Sequence, residues 1–490
     1  MKKRINIILL ICVCFINNIN AQVAGTPYIL YEIPSKQEMC TDVSTRGTDF
    51  WVTFGKNSSR KHSEALLELK IATGENSASV TLTFTETGQS TTISNIPARS
   101  LRTIDLSSVA YIGDKRSNVY IDVSGASSGT SNKTLHITST QPISVYAFNT
   151  SNATTDATIL MPIETWGNDY YRLSSDAYDM VNYDVELIIA REATTLTLPN
   201  GNTQYLPEGH VYFNSSISDM TGRHITSNKP VAYFTHTTSS AVPKGRKFGD
   251  IIFEQLMSVD RWGKQFLVPN AIQRGRNLSG TEINNSMNNI IRIVASENST
   301  KINFSGATHC GGQNIASGGT INAGQYVELL LSSNTGACYI DASKPVGVCA
   351  YLVGDGTNNN SNYLGDPSIA WIPAINQTVK TMVVAPFYPV NSPNGGSTSL
   401  NQLPSKHYAT IITKTATKTQ TKIDRINISS GWKDNIESGY SYYVKQFNNT
   451  ADINSVFEIE NPNGIIVLCH GTSNVESYYY NAGSGACVIN

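Results

Sequence analysis

Apolar residues occupy every second position in Val80-Thr81-Leu82-Thr83-Phe84-Thr85. The same alternation returns in Thr195-Leu196-Thr197-Leu198, Lys301-Ile302-Asn303-Phe304 and Lys422-Ile423-Asp424. A period of two sets one side of an extended chain on a core and leaves Thr, Lys or Asn on the other, as an antiparallel strand with one wet face requires. Around each alternating segment the same elements recur in the same order. An aromatic strand opens the unit, at Gly47-Thr48-Asp49-Phe50-Trp51-Val52, Trp166-Gly167-Asn168-Asp169-Tyr170-Tyr171, Trp262-Gly263-Lys264-Gln265-Phe266-Leu267 and, less clearly, 379–384. A second apolar strand follows at 67–72, 186–190, 291–295 and 408–412. The last element is a proline phrase, seen in Gln141-Pro142-Ile143-Ser144-Val145-Tyr146, Lys229-Pro230-Val231-Ala232-Tyr233, Lys344-Pro345-Val346-Gly347-Val348 and, weakly, Asn461-Pro462-Asn463-Gly464-Ile465. Proline is tolerated at a strand's first residue, so each phrase is predicted to begin a late strand.

Self-similarity at an even interval means one folding unit copied along the chain. The expected organisation is a signal peptide at 1–21, an N-terminal lead at 22–46, and β repeats at 47–163, 164–260, 261–376 and 377–490. Units of roughly 100 to 120 residues with several short strands indicate an all-β fold of tandem antiparallel β-sandwich repeats of immunoglobulin-like size. The same strands could also close into a propeller. Gly-, Asn- and Ser-rich connectors at 124–132, 354–362 and 391–399 suit turns and exposed loops.

Lys2, Lys3 and Arg4, the apolar run from Ile7 to Ile16 and the small residue Ala21 form an export-signal pattern. No apolar run is long enough to span a bilayer as a helix, so the chain is expected to be secreted or held at the cell surface. The six cysteines after Ala21 are an even set, which in an exported chain favours disulfides, and Cys310 with Cys338 is the predicted pair because both flank one hairpin-like stretch. A net charge of -1 with 15% charged residues leaves no footprint for nucleic acid.

Catalytic motifs find no supporting context. Gly125-Ala126-Ser127-Ser128-Gly129 has the spacing of a nucleophile elbow, but a strand follows where that motif needs a helix. Ser58-Ser59-Arg60-Lys61 lacks the partner motifs of its enzyme class. No catalytic residue and no cofactor are assigned. Asp355 and Asp366, around an Asn-rich loop, supply hard oxygen atoms that suit Ca²⁺, without the EF-hand register. His136 and His224 recur at one place in two repeats, and duplication of a residue favours a structural role. Consecutive aromatics in a strand point to both faces, so Tyr170, Tyr171, Tyr442, Tyr443, Tyr478 and Tyr479 are candidate contact residues, with packing between units as the competing role.

The stretch from Asp156 to Tyr171, containing Leu160-Met161-Pro162 and Gly167-Asn168-Asp169-Tyr170-Tyr171, follows directly on the first proline phrase. This arrangement resembles the N-terminal domain family of IgG Fc-binding proteins, bacterial relatives included. Gly365-Asp366-Pro367 is similar to the family's connector, and the likeness runs from about residue 47 to 385. The resemblance implies a non-enzymatic extracellular domain that binds or adheres to a glycoprotein, with immunoglobulin Fc or mucin as ligand. The alternatives from other classes are a secreted carbohydrate-active enzyme with accessory β-domains, which needs facing carboxylates, and a structural surface-layer or appendage subunit.

Overall fold

Each proline phrase lies inside a strand of 16 or 17 residues, not at its start: Leu135–Ser151, His224–Ser240, Ala337–Leu352 and Phe457–Thr472. The computed structural model describes residues 43–490 except 59–60, 62, 64, 107–112, 152–153, 247–248, 273, 277–281, 287–288, 333–335, 355–365, 387–405, 448–454, 473–476 and 489–490. Proline is accommodated because the ladder slips at the phrase. Gly47 faces Ile143 while Asp49 already faces Thr138, so the long strand bulges over Pro142 and no ladder donor is missed there. The same slip recurs between Gly167 and Asp169, Gly263 and Gln265, and Val379 and Thr381.

The bulge also lets one strand serve two sheet layers. Its first half pairs with an entry strand (Gly47–Val52, Gly167–Tyr171, Gly263–Pro269 or Val379–Val384) and with the alternating strand (Ala78–Phe84, Thr194–Thr197, Thr300–Ser305 or Lys422–Ile423). Its second half pairs with the second strand (Leu66–Thr73, Asp184–Ala190, Ile290–Ala295 or Lys406–Lys414) and with an inner strand that follows it in a hairpin (Thr154–Ile159, Asp250–Leu256, Ser368–Trp371 or Ser477–Gly483). The result is four curled antiparallel sheets, a repeated sandwich-like all-β architecture. Along Ala78–Phe84 burial alternates residue by residue, as the apolar pattern requires.

Ring closure is what the sequence pattern did not disclose. The first inner strand packs against the second and the fourth, and the third packs against the same two. All residues of the four inner strands are buried. The ring is clasped by residues near the two ends of the described chain, where Thr45 N–H donates to Ser484 O at 3.1 Å and Ala486 N–H to Val43 O at 2.9 Å. One apolar core draws on the first two units, a second on the last two, and a third on all four. The units therefore share their interiors.

Candidate functional site

Two places bring chemistry-bearing side chains together: the ring axis and the clefts between successive units. At the axis, an inner strand has one edge paired to its long strand and the other turned to its neighbours, so alternate N–H groups need another acceptor. Side chains supply it. Asp156 Oδ2 accepts from Phe253 N–H at 3.0 Å and Ile369 N–H at 3.4 Å, while its Oδ1 accepts from Ala157 N–H. Thr158 Oγ1 accepts from Gln255 N–H at 2.9 Å, and Glu254 Oε1 from Trp371 N–H at 2.9 Å.

Burial pushes the Asp156 carboxyl well above its usual range and Glu254 up to about 8, since desolvation disfavours the charged form. Desolvation thus favours the protonated form of both acids. They act as hydrogen-bond groups that hold three inner strands together.

The clefts lie between the entry strand of one unit and the turns of the next. In the first, between units one and two, Trp51 stacks on His136 with ring centroids 4.2 Å apart and planes 10° apart. His136 Nε2 is 2.8 Å from Asp49 Oδ1. Strand geometry explains the grouping: Trp51 is the cross-strand partner of His136, and Asp49, two residues earlier, lies on the same face. The second unit contributes Arg191, Glu192, Glu208 and Gly209, enclosing a cleft of about 620 Å³. Gly209 has a φ of +70°, and a Cβ there would lie 2.9 Å from Thr85 and 3.3 Å from Trp51. Only glycine suits that position.

The second unit repeats the trio. Tyr171 stacks on His224 at 4.1 Å and 5°, and His224 Nε2 is 2.7 Å from Asp169 Oδ1. The third and fourth units keep the register and change the residues, pairing Leu267 with Tyr339 and Val383 with Glu458. Between the fourth and first units a smaller cleft of about 380 Å³ is lined by Arg99, Arg425 and Glu458, with Arg99 Nη1 3.2 Å from Glu458 Oε2.

A third feature is the loop before the second strand of unit two. Its Tyr178, Met180 and Val181 are exposed, the last two by 81% and 72%. Ile217, also exposed, follows the strand Val211–Ser216, whose Ser216 pairs with Asp184 at the same end of the sheet.

Most residues singled out from the sequence lie elsewhere. Tyr170, Tyr442, Tyr478 and Tyr479 are buried, with Tyr170 Oη–H donating to Val231 O and Tyr442 Oη–H to Gly336 O. They are packing groups, so of the two roles left open for these four tyrosines burial selects packing over contact. Tyr171 and Tyr443 are half-buried, the latter against Trp432.

The predicted pairing of Cys310 with Cys338 is corrected as well. Both carry free thiols; Cys338 is buried in the long strand, and Cys310 is exposed on the strand Ala307–Gly312, which pairs with a different partner. Cys349 and Cys469 are free and buried, and Cys487 is disulfide-bonded. Asp355 lies outside the described residues. Asp366 is buried, its N–H donating to Ser477 Oγ at 2.9 Å. Among the described residues no cluster of three His, Cys, Asp or Glu side chains could hold a metal, and no helix is long and apolar enough to cross a membrane.

The cleft trio escaped the sequence reading in part. The recurrence of His136 and His224 was visible, and so was the spacing Asp-x-Trp or Asp-x-Tyr in the entry strands. Joining them required the bulged register, which no local pattern shows.

Comparison with known proteins fits this picture. An alignment over 258 residues, covering 48% of this chain, is 26% identical to the human IgGFc-binding protein. It corresponds to 4% of that protein's length. The family model described as IgGFc binding protein matches residues 156–471, which takes in the three later long strands and the first three inner strands apart from its edges. With well over half of its length matched, this chain belongs to the IgGFc-binding protein family.

Proposed function

We propose that the chain is an exported, non-enzymatic binding protein, secreted or displayed at the cell surface, that recognises an extracellular glycoprotein. The export pattern from Lys2 to Ala21 supports the location. Family membership and the human relative's name support a binding role, with immunoglobulin Fc as one ligand to test.

The observation that carries the reading is the exposed loop with Tyr178, Met180 and Val181. Large apolar side chains held out by a closed scaffold are what a protein partner buries, and loops at sheet ends vary without disturbing the core. A pull-down with the full chain against immunoglobulin Fc, mucins and other secreted glycoproteins tests it. Capture of at least one, lost when Met180 and Val181 are both changed to Asp, is expected. Failure to bind any of them, or capture indifferent to those changes, would overturn it.

A further inference from the structure

We propose that the cleft between the first and second units is a binding site for a neutral glycan. The inference goes beyond the loop-mediated protein contact and stands independently of it. A volume of about 620 Å³ is in the range of small-ligand sites. The lining differs from that of an apolar ligand site, because Trp51 is its one large apolar group and the remainder is polar: Asp49, His136, Arg191, Glu192 and Glu208, with the hydroxyls of Thr83 and Thr85.

Two of the three carboxylates in the cleft already have partners. Asp49 is held by His136 at 2.8 Å, and Glu192 lies 3.5 Å from Arg191 and 3.8 Å from Lys229. A phosphate or sulfate would meet three carboxylates, which argues against an anion. A cationic peptide would find most of those carboxylates already engaged. Carboxylate acceptors set beside guanidinium and imidazole donors suit a ligand whose every polar group both gives and accepts a hydrogen bond, and a sugar hydroxyl does both.

The site is also rigid before any ligand arrives. The imidazole is fixed on one face by the indole and at Nε2 by Asp49. Below it, Thr83 is bonded to Ser90 at 2.8 Å and Thr85 to Thr134 at 2.8 Å, so the hydroxyl-bearing wall has one geometry. Ordering costs on binding are correspondingly small.

Two comparisons within the molecule separate this role from a structural one. The third and fourth units build the same bulged register with Leu267 and Tyr339, or Val383 and Glu458, so the fold does not require an Asp–His–aromatic trio. The trio recurs in the second unit with nearly identical distances, and this duplication, which by itself favours a structural role, is outweighed by exposure. Trp51 is buried, but its polar companions His136 and Asp49 stay accessible by 28% each, which burial for stability alone would not select.

The test uses the full chain on an array of neutral, sialylated and sulfated glycans, with a Lys-rich peptide as a further probe, followed by titration calorimetry of the best binder. Neutral glycans are expected to bind. His136→Ala, Glu208→Lys and Arg191→Ala should each weaken binding at least tenfold, the latter two with an unchanged melting temperature, while Glu458→Gln in the fourth cleft should leave it intact. Since His136→Ala removes a stacked ring, the exposed Glu208→Lys change keeps the test decisive if that variant folds poorly. The proposal is overturned if no neutral glycan binds, if only anionic glycans or the peptide bind, or if binding survives all three changes. Loss of glycoprotein capture in the Met180 and Val181 variant with glycan binding retained would separate the two surfaces.

Discussion

The ring axis and the first cleft both gather carboxylates, yet their environments give them opposite duties. At the axis Asp156 and Glu254 are wholly buried, strongly perturbed and bonded to backbone N–H groups of neighbouring strands. In the cleft Asp49 and Glu208 are accessible to solvent and face space a ligand can enter. Perturbed acids often mark active sites, but here the perturbation comes from desolvation, and the oxygens serve strands instead of a substrate. The lesson is that access and unspent hydrogen-bonding capacity, more than a shifted pKa, locate the working surface of this fold.

The largest effect that can break the comparison is removal of Asp156. Asp156→Leu leaves N–H groups of three residues without their side-chain acceptor in a dry interior, and the expected loss is about 3 kcal/mol or more, read from denaturant unfolding. If the variant unfolds at the wild-type midpoint, the carboxyl does not hold the ring.

Glu254→Gln comes next and sharpens the contrast through pH. The native carboxyl holds its proton up to about pH 8, while the unfolded one releases it near 4.5. Over that window the native state binds more protons, so this group's contribution falls as pH rises. Glu254→Gln should remove that slope and stabilise the protein by on the order of 1–3 kcal/mol at pH 7. His236 and His470, which burial lowers to about 4, act with the other sign and lose stability as pH falls from 6.5 toward 4. The Gln effect is therefore read as a difference between variant and parent across pH 4–8.5. A constant difference would contradict the assignment.

Gly209→Val addresses the cleft. A β-branched residue at positive φ is strained and its Cβ presses on Thr85 and Trp51, so stability should fall by about 1–3 kcal/mol and glycan binding should be lost. Retained binding would show that the pocket floor is not used. The smallest stability effect is expected for Met180→Asp with Val181→Asp. Surface changes in an exposed loop should alter the melting point very little, and protein capture alone should respond.

How much of this was legible follows from the range of the interactions. The alternation at Val80–Thr85, the apolar second strands and the repeat order are local patterns, and they identified the sheets. Pro142 and Pro230 pointed to strands but not to their middle, because the bulge that shelters them depends on pairing with Gly47 and Gly167. The connector at 124–132 was read as a loop, yet Ser128–Ser131 pairs with Val211–Ser216 of the next unit. An open sheet edge recruits an extended segment whatever its composition. Ring closure joins Ser44 to Gly485 across nearly the whole chain, and no local periodicity reports a contact so distant. Of the candidate contact residues, consecutive tyrosines were correctly seen to face two ways. The second layer that buries Tyr478 and Tyr479 is supplied by other units, which the repeat alone could not show.

The most direct measurement sets His136→Ala beside Glu254→Gln in one glycan titration and one set of pH-dependent melts. A working cleft around a structural axis requires that the first variant, while folded, lose at least tenfold in affinity, and that the second keep full affinity while its pH profile flattens. Full affinity in His136→Ala together with lost affinity in Glu254→Gln would place the binding chemistry at the axis and contradict the division of roles.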